Sequence, residues 1–354
     1  MKKKILIFLQ SNVGGAERVS VTIGKNIDAE FFDVFFYAVG PWDCEIADFI
    51  PSAMFKEHLK YSNPLKLVMN LYKVIQRESP DIIFSSTMYI STKLLLLKPF
   101  FSKIKFVVRS ENNFFTFNQR QQWMIRFLYR RAEKIIAQTD EMARELNSQA
   151  FLPSSKIKVI QNPQDFDAVE KMALDASPYI DSQKVHFVAS GRFCIEKGFD
   201  VLVKAFSLVE KKINNAELFI VGKNTGGNEK YYIEIKKLIT DYGIENKVFC
   251  VGYKKNPYVY IKNADCFVLS SRNEGLPNVL IEALYLGTPV AATKCIPVVE
   301  RIVEEGKTGF LANSDDALSL SEAMLKAVNL GRIHSSYPMD TLPAFKEMFQ
   351  SFLT

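Results

Sequence analysis

Two stretches of this chain carry side chains whose types and spacing could do chemistry on an anionic, hydroxyl-rich ligand. The first, Gly191-Arg192-Phe193-Cys194-Ile195-Glu196-Lys197-Gly198, lies between an apolar run and an amphipathic one. Gly191 permits a tight exit from a strand. Arg192 and Lys197 then put two cations at a helix N-terminus, where backbone N–H groups and the helix dipole also favour an anion. A diphosphate would be met by Arg192 as a fork and by Lys197 as a point charge. The second stretch is Ser271-Arg272-Asn273-Glu274-Gly275-Leu276-Pro277-Asn278-Val279-Leu280-Ile281-Glu282-Ala283. Pro277 fits a first helical turn, so Glu274 falls in the loop before a helix and Glu282 inside it. Carboxylates accept hydrogen bonds from vicinal hydroxyls of the kind a ribose or a pyranose presents. The amides of Gly275, Leu276 and Asn278 offer a further anion site. Glu282 is flanked by Val279, Leu280, Ile281, Ala283 and Leu284, and a carboxylate in so apolar a run needs a partner. A third stretch, Asn12-Val13-Gly14-Gly15-Ala16-Glu17-Arg18, follows the first apolar run, and its adjacent glycines let a ligand approach the backbone. Each stretch also admits a plainer reading as a connecting turn with solvated charges.

The elements that must position these residues are short β-rich runs alternating with longer amphipathic ones. Strands are predicted at 4–9, 33–39, 82–86, 105–109, 134–138 and 158–161, with helices at 16–28, 65–78, 119–131 and 140–148. The pattern restarts with strands at 185–190, 217–221, 247–251, 266–269 and 289–292, and helices at 198–212, 229–242, 277–286 and 315–329. Such alternation implies parallel, doubly wound sheets, and two series imply two Rossmann-like domains. A length of 354 residues fits that number. The Pro- and Asp-containing break at 162–178 divides the chain into 1–165, 166–334 and a tail, 335–354. The tail carries an amphipathic helix at 344–353 that would pack back toward the first domain. Ligands of open α/β sheets bind beyond the carboxyl ends of the strands, where all three stretches fall, so a cleft between two facing domains is expected.

Composition narrows the function. Hydrophobic residues make up 48% and charged residues 24%, which excludes disordered and low-complexity classes. No G-x-G-x-x-G follows any predicted strand, which disfavours a nicotinamide or flavin dehydrogenase. Cys44, Cys194, Cys250, Cys266 and Cys295 form no C-x-x-C, and there are three His. They read as reduced thiols of a cytoplasmic protein rather than as a metal site. The apolar run at 5–9 is too short for a signal peptide, and no run is long enough to span a membrane. The net charge of +6 is concentrated in residues 1–165, with 23 Lys+Arg against 16 Asp+Glu. Residues 98–134 hold nine bases, two acids and nine aromatics. That mixture suits an anionic membrane surface or a lipid-diphosphate acceptor. The alternative is core aromatics beside solvated bases. Nucleic acid is disfavoured.

In this order, G-R-x4-K-G and E-x7-E resemble the retaining glycosyltransferases of family 4, which have the GT-B fold. The resemblance extends over the Gly14-Gly15 loop, residues 191–202, Val221-Gly222, Val251-Gly252, Ala264-Asp265, residues 270–292 and 306–311. It implies that Arg192 and Lys197 bind the diphosphate of a nucleotide sugar, Glu282 the ribose and Glu274 the donor sugar. Arg192, Lys197 and Glu274 would carry catalysis. Gly191, Gly275, Leu276 and Asn278 would approach sugar and phosphates, Tyr253 would frame the base, and Gly14 and Gly15 would close on donor and acceptor. The implied reaction moves a hexose or N-acetylhexosamine, UDP being the favoured carrier, to a hydroxyl of a glycan or lipid-linked acceptor in bacterial surface polysaccharide synthesis. It needs no cofactor and no metal. The sequence departs from the family where a His is common: residues 106–113 read Phe-Val-Val-Arg-Ser-Glu-Asn-Asn, so the role of that His falls to Arg109 or Glu111, on the acceptor side, or is not filled at all. A second departure is Cys295-Ile296-Pro297-Val298-Val299-Glu300, where a Gly-Pro loop usually contacts the donor. Two rival readings are a non-catalytic nucleotide-sugar scaffold and a GT-B-fold sugar-nucleotide epimerase. The paired glutamates weigh against the epimerase.

Overall fold

The computed structural model describes residues 2–41, 43–176, 183–224, 229–335, 337 and 341–353. The chain forms two compact units, Met1–Gln164 with Met339–Thr354, and Asp165–Pro338. Residues 177–182, which take in the end of the break, and 336, 338–340 and 354 of the tail lie outside the described residues.

The first unit is built on β1 (Lys3–Gln10), β2 (Phe32–Val39), β3 (Phe55–Leu59), β4 (Ile82–Ser85), β5 (Lys105–Arg109), β6 (Lys134–Ala137) and β7 (Ile157–Val159). They form one sheet in the order β3-β2-β1-β4-β5-β6-β7, and every pairing is parallel. A parallel sheet is buried on both faces, so its strands are apolar throughout. In β1, Leu6 and Phe8 enter one core cluster, while Ile5, Ile7 and Leu9 enter another on the opposite face. The covering helices are α1 (Gly15–Asn26), α2 (Pro64–Glu78), α3 (Met88–Leu97), α4 (Gln119–Leu128) and α5 (Asp140–Ser148).

The second unit carries α6 (Phe166–Met172), β8 (Val185–Ser190), α7 (Phe199–Val209), β9 (Ala216–Val221), α8 (Glu229–Asp241), β10 (Val248–Gly252), α9 (Tyr258–Asn263), β11 (Cys266–Leu269), α10 (Asn278–Tyr285), β12 (Val290–Thr293), α11 (Pro297–Ile302), β13 (Gly309–Ala312) and α12 (Ala317–Ala327). Its sheet is again wholly parallel, in the order β10-β9-β8-β11-β12-β13. The chain therefore holds two Rossmann-like units with parallel sheets of seven and six strands, as the two series of alternating elements imply.

Several elements escape the sequence pattern. Edge strand β3 reads Phe-Lys-Glu-His-Leu and is only partly buried, so it lacks a continuous apolar run. Helix α3 is buried on nearly every side and has no polar face to mark its period. The break is not irregular throughout: α6 lies in it, and the Asp165 side chain accepts from the Ala168 N–H at 3.2 Å. Pro277 caps α10 rather than opening its first turn.

A last helix, α13 (Leu342–Gln350), returns to the first unit. Phe345, Met348 and Phe349 join the core cluster of β1 and β2. Phe349 meets Phe84 edge-on with ring centroids 6.0 Å apart and Phe32 at 6.5 Å. Phe349→Ala should cost about 3–5 kcal/mol in the first unit, read as a lower denaturant midpoint. An unchanged midpoint would show that α13 contributes nothing to that core.

Candidate active site

In an open parallel sheet the crevice lies where strand order reverses. In the second unit that point is between β8 and β11, paired through Cys266 with Phe187 and Phe267 with Val188. Chain connections after β8 and β11 leave in opposite directions and expose a gap between them. Gly191–Gly198 follows β8 and Ser270–Pro277 follows β11, so topology brings together motifs that are about eighty residues apart in sequence.

The two loops are joined by a close ion pair. Lys197 Nζ lies 2.6 Å from Glu274 Oε1, and both side chains are largely buried. Ser271 Oγ donates to the same oxygen at 2.7 Å, and Ser270 Oγ donates to the Lys197 carbonyl at 2.8 Å. Two glycines make this approach sterically possible. A Cβ on Gly191 would sit 2.8 Å from Lys197 Cε, so a side chain there would displace the lysine stem. Gly198 has φ +61°, and a Cβ on it would stand 2.1 Å from the Ser270 carbonyl oxygen. It caps α7 in a left-handed conformation that glycine adopts at least cost. Arg192 lies in the same loop, exposed and without an ion-pair partner among the described residues.

The carboxylate inside α10 has the partner its apolar neighbours require. Tyr258 is fully buried and its hydroxyl donates to Glu282 Oε1 at 3.0 Å. Gly275 and Leu276 are buried in the loop, and Asn278 opens α10. Tyr253 follows β10, two strands from the crevice, and is exposed; Lys223 Nζ lies 6.0 Å from its ring centroid. Cys295, after β12, is near enough to feel Glu274 and Lys197; burial, and secondarily the Glu274 charge, push its thiol up to about 12. The thiol therefore stays neutral beside the two charged groups.

A second network, which no sequence motif announces, fixes the β11 loop. Arg272 forms a bidentate pair with Asp200 of α7 at 2.8 and 2.7 Å. It also binds Asp315 at 2.9 and 2.7 Å and the Ile195 carbonyl at 2.9 Å. Tyr231 donates to Asp200 Oδ1 at 2.7 Å. Burial opposes ionisation of Asp200, but Arg272 and Tyr231 prevail and hold its pKa at about 2. Arg272 stands within the motif, yet its partners are 72 and 43 residues away, so no local spacing reveals them.

The first unit has its own reversal between β1 and β4. Gly14 caps α1 with extended backbone, and Gly15 opens the helix; neither adopts a positive φ. Ser20 Oγ and Ser86 Oγ are 2.5 Å apart across this point. Arg109 ends β5 with 1% exposure. One of its nitrogens, Nη2, donates to Asn162, while Nε and Nη1 have no hydrogen-bond partner among the described residues. Burial lowers its pKa to about 10, opposed by Glu111 and Glu17. Glu111 is half-buried and accepts from the Met88 N–H at 3.2 Å. Of the two acceptor-side candidates, only Glu111 presents surface. Among the described residues, no group of three His, Cys, Asp or Glu is placed to hold a metal.

Comparison with known proteins agrees with this architecture. The family described as "Glycosyl transferases group 1" matches residues 171–337, and "Glycosyltransferase Family 4" matches residues 13–168. An N-acetylgalactosamine-N,N'-diacetylbacillosaminyl-diphospho-undecaprenol 4-alpha-N-acetylgalactosaminyltransferase of Campylobacter jejuni is 23% identical over 355 residues, covering 95% of this chain and 93% of that protein. An uncharacterized glycosyltransferase of Methanocaldococcus jannaschii is 29% identical over 247 residues; the match spans 65% of this chain and 60% of that protein. The crystal structure of Anabaena HepE in complex with UDP-glucose shares the fold, with a TM-score of 0.81, 20% identity and 99% of both chains covered.

The Asp200 pair makes a pH prediction. A carboxyl held at about 2, against an ordinary 3.8, contributes stability that is complete above about pH 4 and lost as pH falls toward 2. Arg272→Ala should destabilise the second unit by about 2 kcal/mol at neutral pH and flatten the loss of stability between about pH 4 and 2. Denaturation midpoints measured across that range check it. A variant with the wild-type pH profile would contradict the assignment.

Proposed function

Because this chain belongs to the family 4 glycosyltransferases of GT-B fold, we propose that it transfers a hexose or N-acetylhexosamine from a nucleotide diphosphate sugar, with retention at the anomeric carbon. UDP is the favoured carrier, as in the Anabaena complex. The acceptor is a hydroxyl of a glycan or lipid-linked sugar in bacterial surface polysaccharide synthesis. The Campylobacter relative, whose name specifies a diphospho-undecaprenol acceptor, supports that choice. The observation that carries the reading is the meeting of Lys197 and Glu274 at the β8/β11 crevice. It sets a cation and a carboxylate side by side where a diphosphate and the sugar attached to it would lie.

In this mechanism the bond between the anomeric carbon and the diphosphate oxygen breaks while the acceptor oxygen bonds to the same face. The acceptor proton passes to the departing phosphate. Negative charge grows on the diphosphate, and Arg192 and Lys197 stabilise it where it grows. Glu274 accepts from hydroxyls of the donor sugar. Glu282, steadied by Tyr258, accepts from the ribose. Gly191, Gly275, Leu276 and Asn278 bring backbone close to sugar and phosphates, and Tyr253 frames the base. The Lys197 ammonium and the Arg192 guanidinium supply the positive charge a diphosphate requires, and the reading invokes no metal and no cofactor. On the acceptor side Glu111 meets the incoming hydroxyl. Arg109 acts through Asn162 and the strand ends it holds, and the Gly14-Gly15 turn approaches the acceptor. A lipid-linked acceptor requires a membrane surface, and the basic, aromatic stretch 98–134 supports peripheral contact with an anionic one.

Arg192→Ala or Lys197→Ala should lower turnover about 10²-fold or more, the usual loss when one charge-stabilising donor is removed. Steady-state release of UDP measures this. Arg192 is exposed, so its variant folds normally, and near-normal turnover by it would sink the assignment. Glu282→Ala should chiefly weaken donor binding; a donor Kd unchanged by calorimetry would remove the ribose from that carboxylate.

A further inference from the structure

The nine aromatics of residues 98–134 do not form one surface. Phe106, Phe114, Phe117 and Tyr129 are buried in the core. Helix α4 turns Ile125 and Leu128 inward, and its outward face should by ordinary patterning be polar. Instead it presents Trp123, 58% exposed, and Phe127, 55% exposed, with ring centroids 4.6 Å apart. Phe115, just before the helix, is 63% exposed.

An independent oddity borders the same face. Phe151 follows α5 with φ +54° and 62% exposure. Its neighbours Ala150 and Leu152 are buried, and the side chain between them is turned outward. Asn or Gly would fill such a position at less cost than a bulky aromatic. The phenylalanine is nevertheless held there by two bases of α4 and its last turn. The Arg126 guanidinium lies 5.8 Å from the Phe151 ring centroid and 5.4 Å from that of Phe114. Arg126 Nε donates to the Gln149 carbonyl at 3.1 Å, and Arg130 Nη2 to the Phe151 carbonyl at 3.0 Å. Trp123, Arg126, Phe127 and Arg130 follow the i, i+3, i+4, i+7 spacing of one helical face. Aromatic rings and arginines therefore alternate over a single outward surface.

We infer that this α4–Phe151 face is the membrane-docking surface of the protein, with Trp123, Phe127, Phe151 and Phe115 entering the interfacial layer of an anionic phospholipid bilayer and Arg126 and Arg130 meeting its phosphates. A tryptophan and phenylalanines beside guanidinium groups are a composition that rests at a lipid headgroup boundary. Charge complementarity selects the partner: the unit that bears the face carries the chain's entire basic excess, and Arg126 and Arg130 stand on the face itself. The same charge disfavours a second copy of the chain, because two such faces brought together would repel. The inference rests on the reading of a membrane-associated acceptor, but binding to vesicles is measured without turnover.

The test is flotation of the full chain with phosphatidylcholine vesicles, with and without phosphatidylglycerol. Wild type should float with the anionic vesicles, far less with neutral ones and less as salt rises. Its tryptophan emission should shift to the blue, and Trp123→Phe should abolish most of that shift. The double variant Trp123→Ala, Phe127→Ala should bind anionic vesicles about tenfold more weakly or worse, while its affinity for UDP-sugar by calorimetry stays that of wild type. Wild type that fails to float, equal binding to neutral vesicles, or a double variant that floats as wild type does would each overturn the surface and leave the transferase reading standing. Vesicle binding by a protein that binds no nucleotide sugar would do the reverse.

Discussion

Most of the chemistry assigned to this protein depends on one contact, the ion pair between Lys197 and Glu274. A parallel sheet whose strand order reverses between β8 and β11 leaves two neighbouring strand ends with diverging loops, and the pair closes the space between them. A partly buried pair of this kind adds little net stability, because desolvation consumes most of its attraction. Its value is positional. The lysine stem is held against Gly191 and its backbone against Ser270, while Ser271 fixes the carboxylate. Arg272 ties the Glu274 loop to α7 through Asp200. An ammonium so confined has little freedom left to lose when an anion arrives, which is the condition for electrostatic stabilisation of a departing diphosphate.

The two units divide labour along lines of charge and polarity. The second unit is near neutral overall, and Arg192, Lys197, Arg272 and Glu274 stand in the two loops of its crevice. The first is basic and lines its strand ends with buried polar groups: Ser85, Ser86, Thr87, Arg109, Ser110, Gln138 and Asn162. Arg109 stands at the end of β5, in the stretch where the resemblance leads one to look for a His. Its burial makes it a support for that surface, held by Asn162, which in turn donates to Gln138 at 2.9 Å.

Much of this architecture is legible in the sequence, for physical reasons. Buried parallel strands must be short apolar runs, so β5, β8 and β11 are recovered to the residue and most others to within one or two. The motif residues are legible because glycine, paired bases and carboxylates after a strand have few structural uses in common. What stays hidden depends on contacts distant in sequence. Tyr258 is 24 residues from the carboxylate it orients and Asp200 is 72 from Arg272; neither carries a local signal. Elements with an unusual environment are hidden too, such as α3, which has no polar face, and β3, which has little apolar content. In sequence the aromatic, basic stretch reads as a single feature, whereas the fold sends some of its rings to the core and others outward.

The central claim is that the groups gathered at the β8/β11 crevice hold a nucleotide sugar for transfer from the face the diphosphate leaves. The stereochemistry of the product reports on this most directly. Proton NMR of the anomeric signal during early turnover of a UDP-α-sugar on a lipid-diphosphate-linked sugar should show UDP and an α-linked product formed in equal amounts. A β-linked product would mean attack from the opposite face, and would contradict the proposed roles of Lys197, Arg192 and the departing phosphate.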